Sequence, residues 1–126
     1  MGAPSVTASS SSTTFHLYSN SLSSSPVLVF SGRGNLYGFL LEDNSGSDIF
    51  MHVYDAASAG DVTFGVTQPV FTVRAKADNA FGKDVNDSPY KFFALGCVVV
   101  ITDTRNGGAA PLTAATGQFW FVNRQP

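Results

Sequence analysis

The sequence predicts an all-β protein: an antiparallel β-sandwich of about seven strands, with an open β-barrel as the alternative, preceded by an extended N-terminal arm. Three observations carry this. Short runs rich in Val, Ile and Phe are separated by Gly, Pro, Asn and Asp turn signals. No helical periodicity follows Pro26. Eleven Phe and twelve Gly among 126 residues, with only 13% charged side chains, suit half-buried pleated sheets joined by tight turns. A chain of this length builds one core, burying about two thirds of the surface it exposes unfolded. Its one cysteine, Cys97, excludes an intrachain disulfide and a Cys-rich zinc site.

Residues 1–26 form the arm. They are dominated by Ser and Thr, hold no acidic or basic side chain, and contain one apolar island at Phe15, Leu17 and Tyr18. Such a segment is either a labile tail or an extended arm whose alternating island anchors on a neighbouring subunit. Residues 27–126 form the sandwich. Val27 to Ser31 is a short strand stopped by the turn Gly32-Arg33-Gly34-Asn35, and Leu36 to Asp43 is a second strand that would complete a hairpin with it. In that second strand Leu36, Gly38 and Leu40 are expected on one side, with Tyr37, Phe39 and Leu41 on the other. Asp48 to Asp55 alternates Ile49, Met51 and Val53 against Phe50, His52 and Tyr54, so one face enters the core.

Pro69 sets the start of Val70 to Ala75, with Phe71, Val73 and Ala75 as the inward set. Lys76 to Asp87 reads as a loop whose Phe81 plugs a hollow. Pro89 to Ala94 is a short strand. The run from Leu95 to Ile101 is dense enough in β-branched residues to be a central strand covered on both faces. Asn106-Gly107-Gly108 is a turn, and Gln118 to Asn123 is the last strand, with Phe119 and Phe121 opposing Trp120 and Val122.

The chemistry-bearing residues fall in unpromising places. Cys97 lies inside the apolar run, where a thiol is an inert small hydrophobe. His16 and His52 have no carboxylate or thiol at metal-ligand spacing, and both read as surface or interface residues. Asp84, Asn86 and Asp87, or Asp43 with Ser45, Ser47 and Asp48, would offer oxygen ligands to calcium, but Asx residues occupy turns for their own backbone bonds. Glu42, Asp43, Asp48, Asp55 and Asp61 stand at strand ends, where capping acids fall, rather than as an opposed catalytic pair. The expectation is therefore no enzyme, no catalytic residue, no metal and no cofactor. Seven Lys and Arg against nine Asp and Glu give a net charge of -2, which disfavours nucleic acid as a partner. No apolar run approaches the roughly 18 residues of a membrane helix, so no membrane partner is expected. The low charge instead suggests that part of the exterior is covered by another chain.

Four phrases carry a resemblance: Leu36-Tyr37-Gly38-Phe39-Leu40-Leu41-Glu42-Asp43-Asn44, the run from Tyr54 to Thr63, Lys91-Phe92-Phe93-Ala94-Leu95-Gly96-Cys97, and Thr116-Gly117-Gln118-Phe119-Trp120. Together they resemble small β-sandwich structural proteins of tailed bacteriophages. The resemblance implies a virion protein, made in the host cytoplasm and placed on the capsid surface. There it would act as a decoration (cement) protein that binds the major capsid protein and staples neighbouring subunits, often as a trimer. A tail or head-to-tail component is the near alternative, and a carbohydrate- or receptor-binding β-module is the other. The residues expected to meet a partner are Phe15, Leu17, Tyr18, Tyr37 and Trp120.

Overall fold

The computed structural model describes residues 15–83, 90–107, 109, 111 and 113–124. Among them are nine strands in two antiparallel sheets packed face to face and not closed into a barrel, the predicted sandwich. The strands are β1 (Phe15–Leu22), β2 (Val27–Ser31), β3 (Arg33–Glu42), β4 (Ile49–Asp55) and β5 (Phe71–Ala75), then β6 (Ala80–Lys83), β7 (Lys91–Phe93), β8 (Gly96–Thr102) and β9 (Ala115–Arg124). One sheet has the order β1-β9-β3-β6, with β7 sharing the β3 edge beside β6. The other has the order β2-β8-β4-β5.

The core lies between the sheets. Leu36, Phe39, Leu41, Phe93 and Phe119 of the first sheet meet Phe30, Ile49, Met51, Val53, Val99 and Ile101 of the second, all buried. Each such side chain contributes about 1.5–3 kcal/mol by leaving water. Phe71, Val73 and Ala75 point inward as the alternation predicts. Strand β8 is buried at all seven positions. Its Cys97, Val99 and Ile101 face the core, while Val98 and Val100 pack outward under Tyr54, Ala56, Val62 and Phe64. The segment after β4 folds back over this sheet, which is why a strand without polar alternation is stable there.

Several expectations need correction. Val27–Ser31 and the following strand do not make a hairpin: Gly32, at φ 83°, turns the chain from one sheet into the other, so β2 and β3 pair with different partners. Strand β3 begins at Arg33, inside the expected turn. Its alternation breaks where β9 pairs Trp120 with Gly38 and Phe121 with Leu36, leaving Tyr37 as the extra residue of a β-bulge. Leu36 therefore faces inward with Phe39 and Leu41, rather than opposite them. Ala80–Lys83, expected as loop, forms β6 on β3. Phe81 is 45% exposed and borders a groove instead of filling it. Phe15–Leu22, placed in the arm, is an edge strand on β9, so the sheet architecture starts ahead of residue 27. Residues 1–14, Asp84, Asn86 and Asp87 lie outside the described residues.

The chain crosses between the sheets again at Ala94-Leu95, between β7 and β8, and this corner bonds to the one at Gly32 through Gly32 N–H and the Leu95 carbonyl at 2.9 Å. Asp55 ties this end together. Its carboxylate accepts the backbone N–H groups of Ala94 (3.0 Å), Leu95 (2.8 Å) and Gly96 (3.3 Å). Gly96 is required here: at φ 151° a Cβ would sit 2.5 Å from the Ala56 carbonyl oxygen and 2.8 Å from that of Phe30.

Candidate interaction face

The two sheets differ in how their outer faces are finished. The outer face of β2-β8-β4-β5 is roofed by the chain itself. Phe64 lies edge-on to the His52 ring at 4.8 Å, and Val62 and Ala56 close over Tyr54. His52 is therefore buried at 3% exposure, not at the surface or an interface as its sequence context suggests. Its nitrogens are both used. The Thr102 hydroxyl donates to the Thr104 carbonyl, so it accepts the Nε2–H of His52, leaving Nδ1 to accept from the Thr72 hydroxyl. Burial holds the imidazole pKa below its usual 6.5, and the nearby Arg105 guanidinium adds to the effect.

Among the described residues, none forms such a roof over the outer face of β1-β9-β3. Side-chain alternation puts His16 and Tyr18 of β1, Gln118, Trp120 and Val122 of β9, and Leu40 and Asn35 of β3 on it. Tyr37 joins them, because Leu36 and Phe39 on either side of the bulge both face the core. Phe92 of β7, opposite Asn35, extends the face and is 57% exposed, and Tyr18 is 55% exposed. His16 is held by two contacts: its ring stacks on Trp120 with centroids 4.8 Å apart, and its Nε2 bonds to the Gln118 side-chain oxygen at 2.9 Å. Among the described side chains, formal charge on this face is confined to Arg33 and Glu42 at the two ends of β3.

The residues expected to meet a partner are thus divided. Tyr18, Tyr37 and Trp120 share the open face. Leu17 turns inward against the core, and Phe15 follows it, 5.9 Å from Phe121, whose ring stacks on Phe30. Phe92 and Leu40 belong to the face but do not stand out in sequence, since only the pairing of β7 with β3 and the register of β3 against β9 put them on the same side as Tyr37 and Trp120.

Three of the acids suspected of metal or acid–base chemistry, Asp43, Asp48 and Asp55, are occupied by backbone N–H groups. Asp43 accepts Ser45 N–H and hydroxyl, Gly46 N–H and Asp78 N–H. Burial raises its pKa, and these bonds outweigh burial to leave the carboxyl below its usual value. Asp48 accepts Ala77 N–H and lies 3.8 Å from Arg74. Asp61 accepts the Ser58 hydroxyl. Among the described residues no three His, Cys, Asp or Glu side chains gather to hold a metal ion. Burial, with Asp55 adding repulsion, drives the Cys97 thiol far up, so it stays protonated. A groove of about 720 Å³ runs between β5 and β6, bordered by Arg74, Lys76, Asn79 and Phe81. No protein-family model matches the chain, and no curated protein or solved structure matches it either.

Proposed function

We propose that the chain is a structural protein of a bacteriophage virion, a capsid decoration protein whose β1-β9-β3 outer face docks on the major capsid protein. The observation that carries the reading is the contrast between the faces: one sheet is roofed by the chain's own residues 56–70, while the other presents aromatic and amide side chains with charge only at its margins. Aromatic residues with few charges are what the buried centre of a protein interface uses. The resemblance of its phrases to phage sandwich proteins supplies the virion setting. The action would be mechanical, without turnover. Burying roughly 800 Å² per contact at many symmetric sites on a shell gives avidity that one contact lacks. A tail or head-to-tail partner would use the same face.

The test is co-sedimentation of the purified chain with phage shells. Native protein should pellet with them, while Tyr18→Ser combined with Phe92→Ser should stay in the supernatant with an unchanged circular dichroism spectrum. Undiminished pelleting of the double variant would remove the face from the proposal. A carbohydrate-binding module is the second reading, since Tyr18 and Gln118, an aromatic and an amide, stand opposite each other on the open face. Against a Trp120 sugar platform, His16 already covers one side of that ring. Glycan-array binding by the free protein would favour the second reading.

A further inference from the structure

The sheet that carries the open face also has an open edge. Strand β1 pairs with β9 along one side, and among the described residues nothing pairs with the row of backbone donors and acceptors on its other side. Proteins usually blunt such an edge with a lysine, a proline, an inward charge or a very short strand. Strand β1 has none of these: it is eight residues long and reads Phe-His-Leu-Tyr-Ser-Asn-Ser-Leu, without a charged residue or a proline. No Asp, Glu, Lys or Arg occurs anywhere before Arg33.

We infer that the free edge of β1 pairs antiparallel with β1 of a second copy, joining the two five-stranded sheets into one across a two-fold axis. A second copy is the occupant that the strand's own chemistry fits. Two-fold pairing brings a segment against itself, which a charged strand would resist and this one does not. In antiparallel pairing, directly opposed side chains lie on the same face, so the inward and outward sets of β1 must match. Regular alternation runs from Phe15 to Ser19 before the shift against β9 near Leu22. Centring the two-fold on Leu17 sets Leu17 against its own copy on the inner side. It also sets His16 against Tyr18 of the second copy on the outer side, twice over. The outer faces of the two copies then become continuous, and the exposed Tyr18 ring gains a stacking partner.

This inference does not depend on what the outer face binds. The full chain is examined by light scattering on a size-exclusion column over a wide concentration range, where a mass that rises to twice the protomer is expected. Leu17→Lys, which opposes two ammonium groups at the axis, should return the mass to one protomer with the circular dichroism spectrum retained. If that variant does not fold, cysteine pairing decides. The combined variant His16→Cys and Tyr18→Cys should cross-link into dimers on mild oxidation, because the native Cys97 is fully buried and cannot compete. Either single variant should cross-link much less. A native chain that stays a monomer throughout, or a double-cysteine chain that forms no dimer, overturns the inference. If such a chain still pellets with shells, the docking proposal stands alone.

Discussion

Replacing Asp55 by alanine removes one small carboxylate and three backbone hydrogen bonds at the place where the chain crosses between sheets. The Ala94 and Leu95 residues are exposed, so their N–H groups can return to water, whereas Gly96 is buried and its N–H is left without its acceptor. Hydrogen bonds to a charged acceptor contribute about 1.5–3 kcal/mol each when shielded, and much less when water replaces the acceptor. The expected loss is about 2–3 kcal/mol, most of it from the buried Gly96 N–H, with smaller contributions from Leu95 and Ala94. For a domain of this size that lowers the melting temperature by roughly 10 °C. Asp55→Asn keeps an oxygen for Leu95 and Gly96 but turns an amide N–H₂ toward the Ala94 N–H, and should cost about 1 kcal/mol. Urea unfolding followed by circular dichroism measures both, with an unchanged slope showing that only stability moved. A loss under about 0.5 kcal/mol for the alanine variant would mean that the corners hold without the carboxylate, which would refute the reasoning.

Two further outcomes follow from neighbouring geometry. Protonation of His52 must occur in the buried Thr72–Thr102 network near Arg105, so the unfolded chain takes up this proton more readily than the folded one. The stability this group contributes is complete above its ordinary pKa of 6.5 and is lost as pH falls below that. Asp43 adds its own loss only below 3.8. Melting temperature should therefore drop between about pH 7 and pH 5, and His52→Gln should flatten that drop. Adjacent residues of β7 should differ sharply: Phe93→Ala, fully buried against Phe30 at 5.7 Å, should cost about 3–5 kcal/mol, whereas Phe92→Ala should stay within about 0.5 kcal/mol in urea unfolding.

Legibility followed the range of the interaction. Strand β8 was readable because seven consecutive buried residues need no knowledge of their neighbours, and the Ile49, Met51 and Val53 alternation was readable for the same reason. The bulge at Tyr37 was not, since it exists only in the register of β3 against β9. The turn of Gly32 into another sheet was also hidden, because a glycine between two apolar runs reads equally as a hairpin turn or a corner. Four residues, Ala80–Lys83, become a strand through the β3 edge they lie against rather than through their own propensity. Of the face, Tyr18, Tyr37 and Trp120 were visible as aromatics in alternating strands. Phe92 and Leu40 required the sheet order, and His52 required the roof that buries it.

The position of β9 sets the order in which this molecule can be completed. The second sheet draws on residues 27–102 and has all four of its strands once β8 has been synthesised. The first sheet does not: β9 lies between β1 and β3, pairing Phe121 with Phe15 on one side and with Leu36 on the other. A growing chain therefore carries β1 unattached until every other described strand has been made and the strand that receives it emerges. Closing so long a loop makes this step slow relative to the local pairings. The face proposed to meet a partner is thus completed only after every other described strand exists, so a chain that stops short of β9 has nothing with which to occupy a shell site.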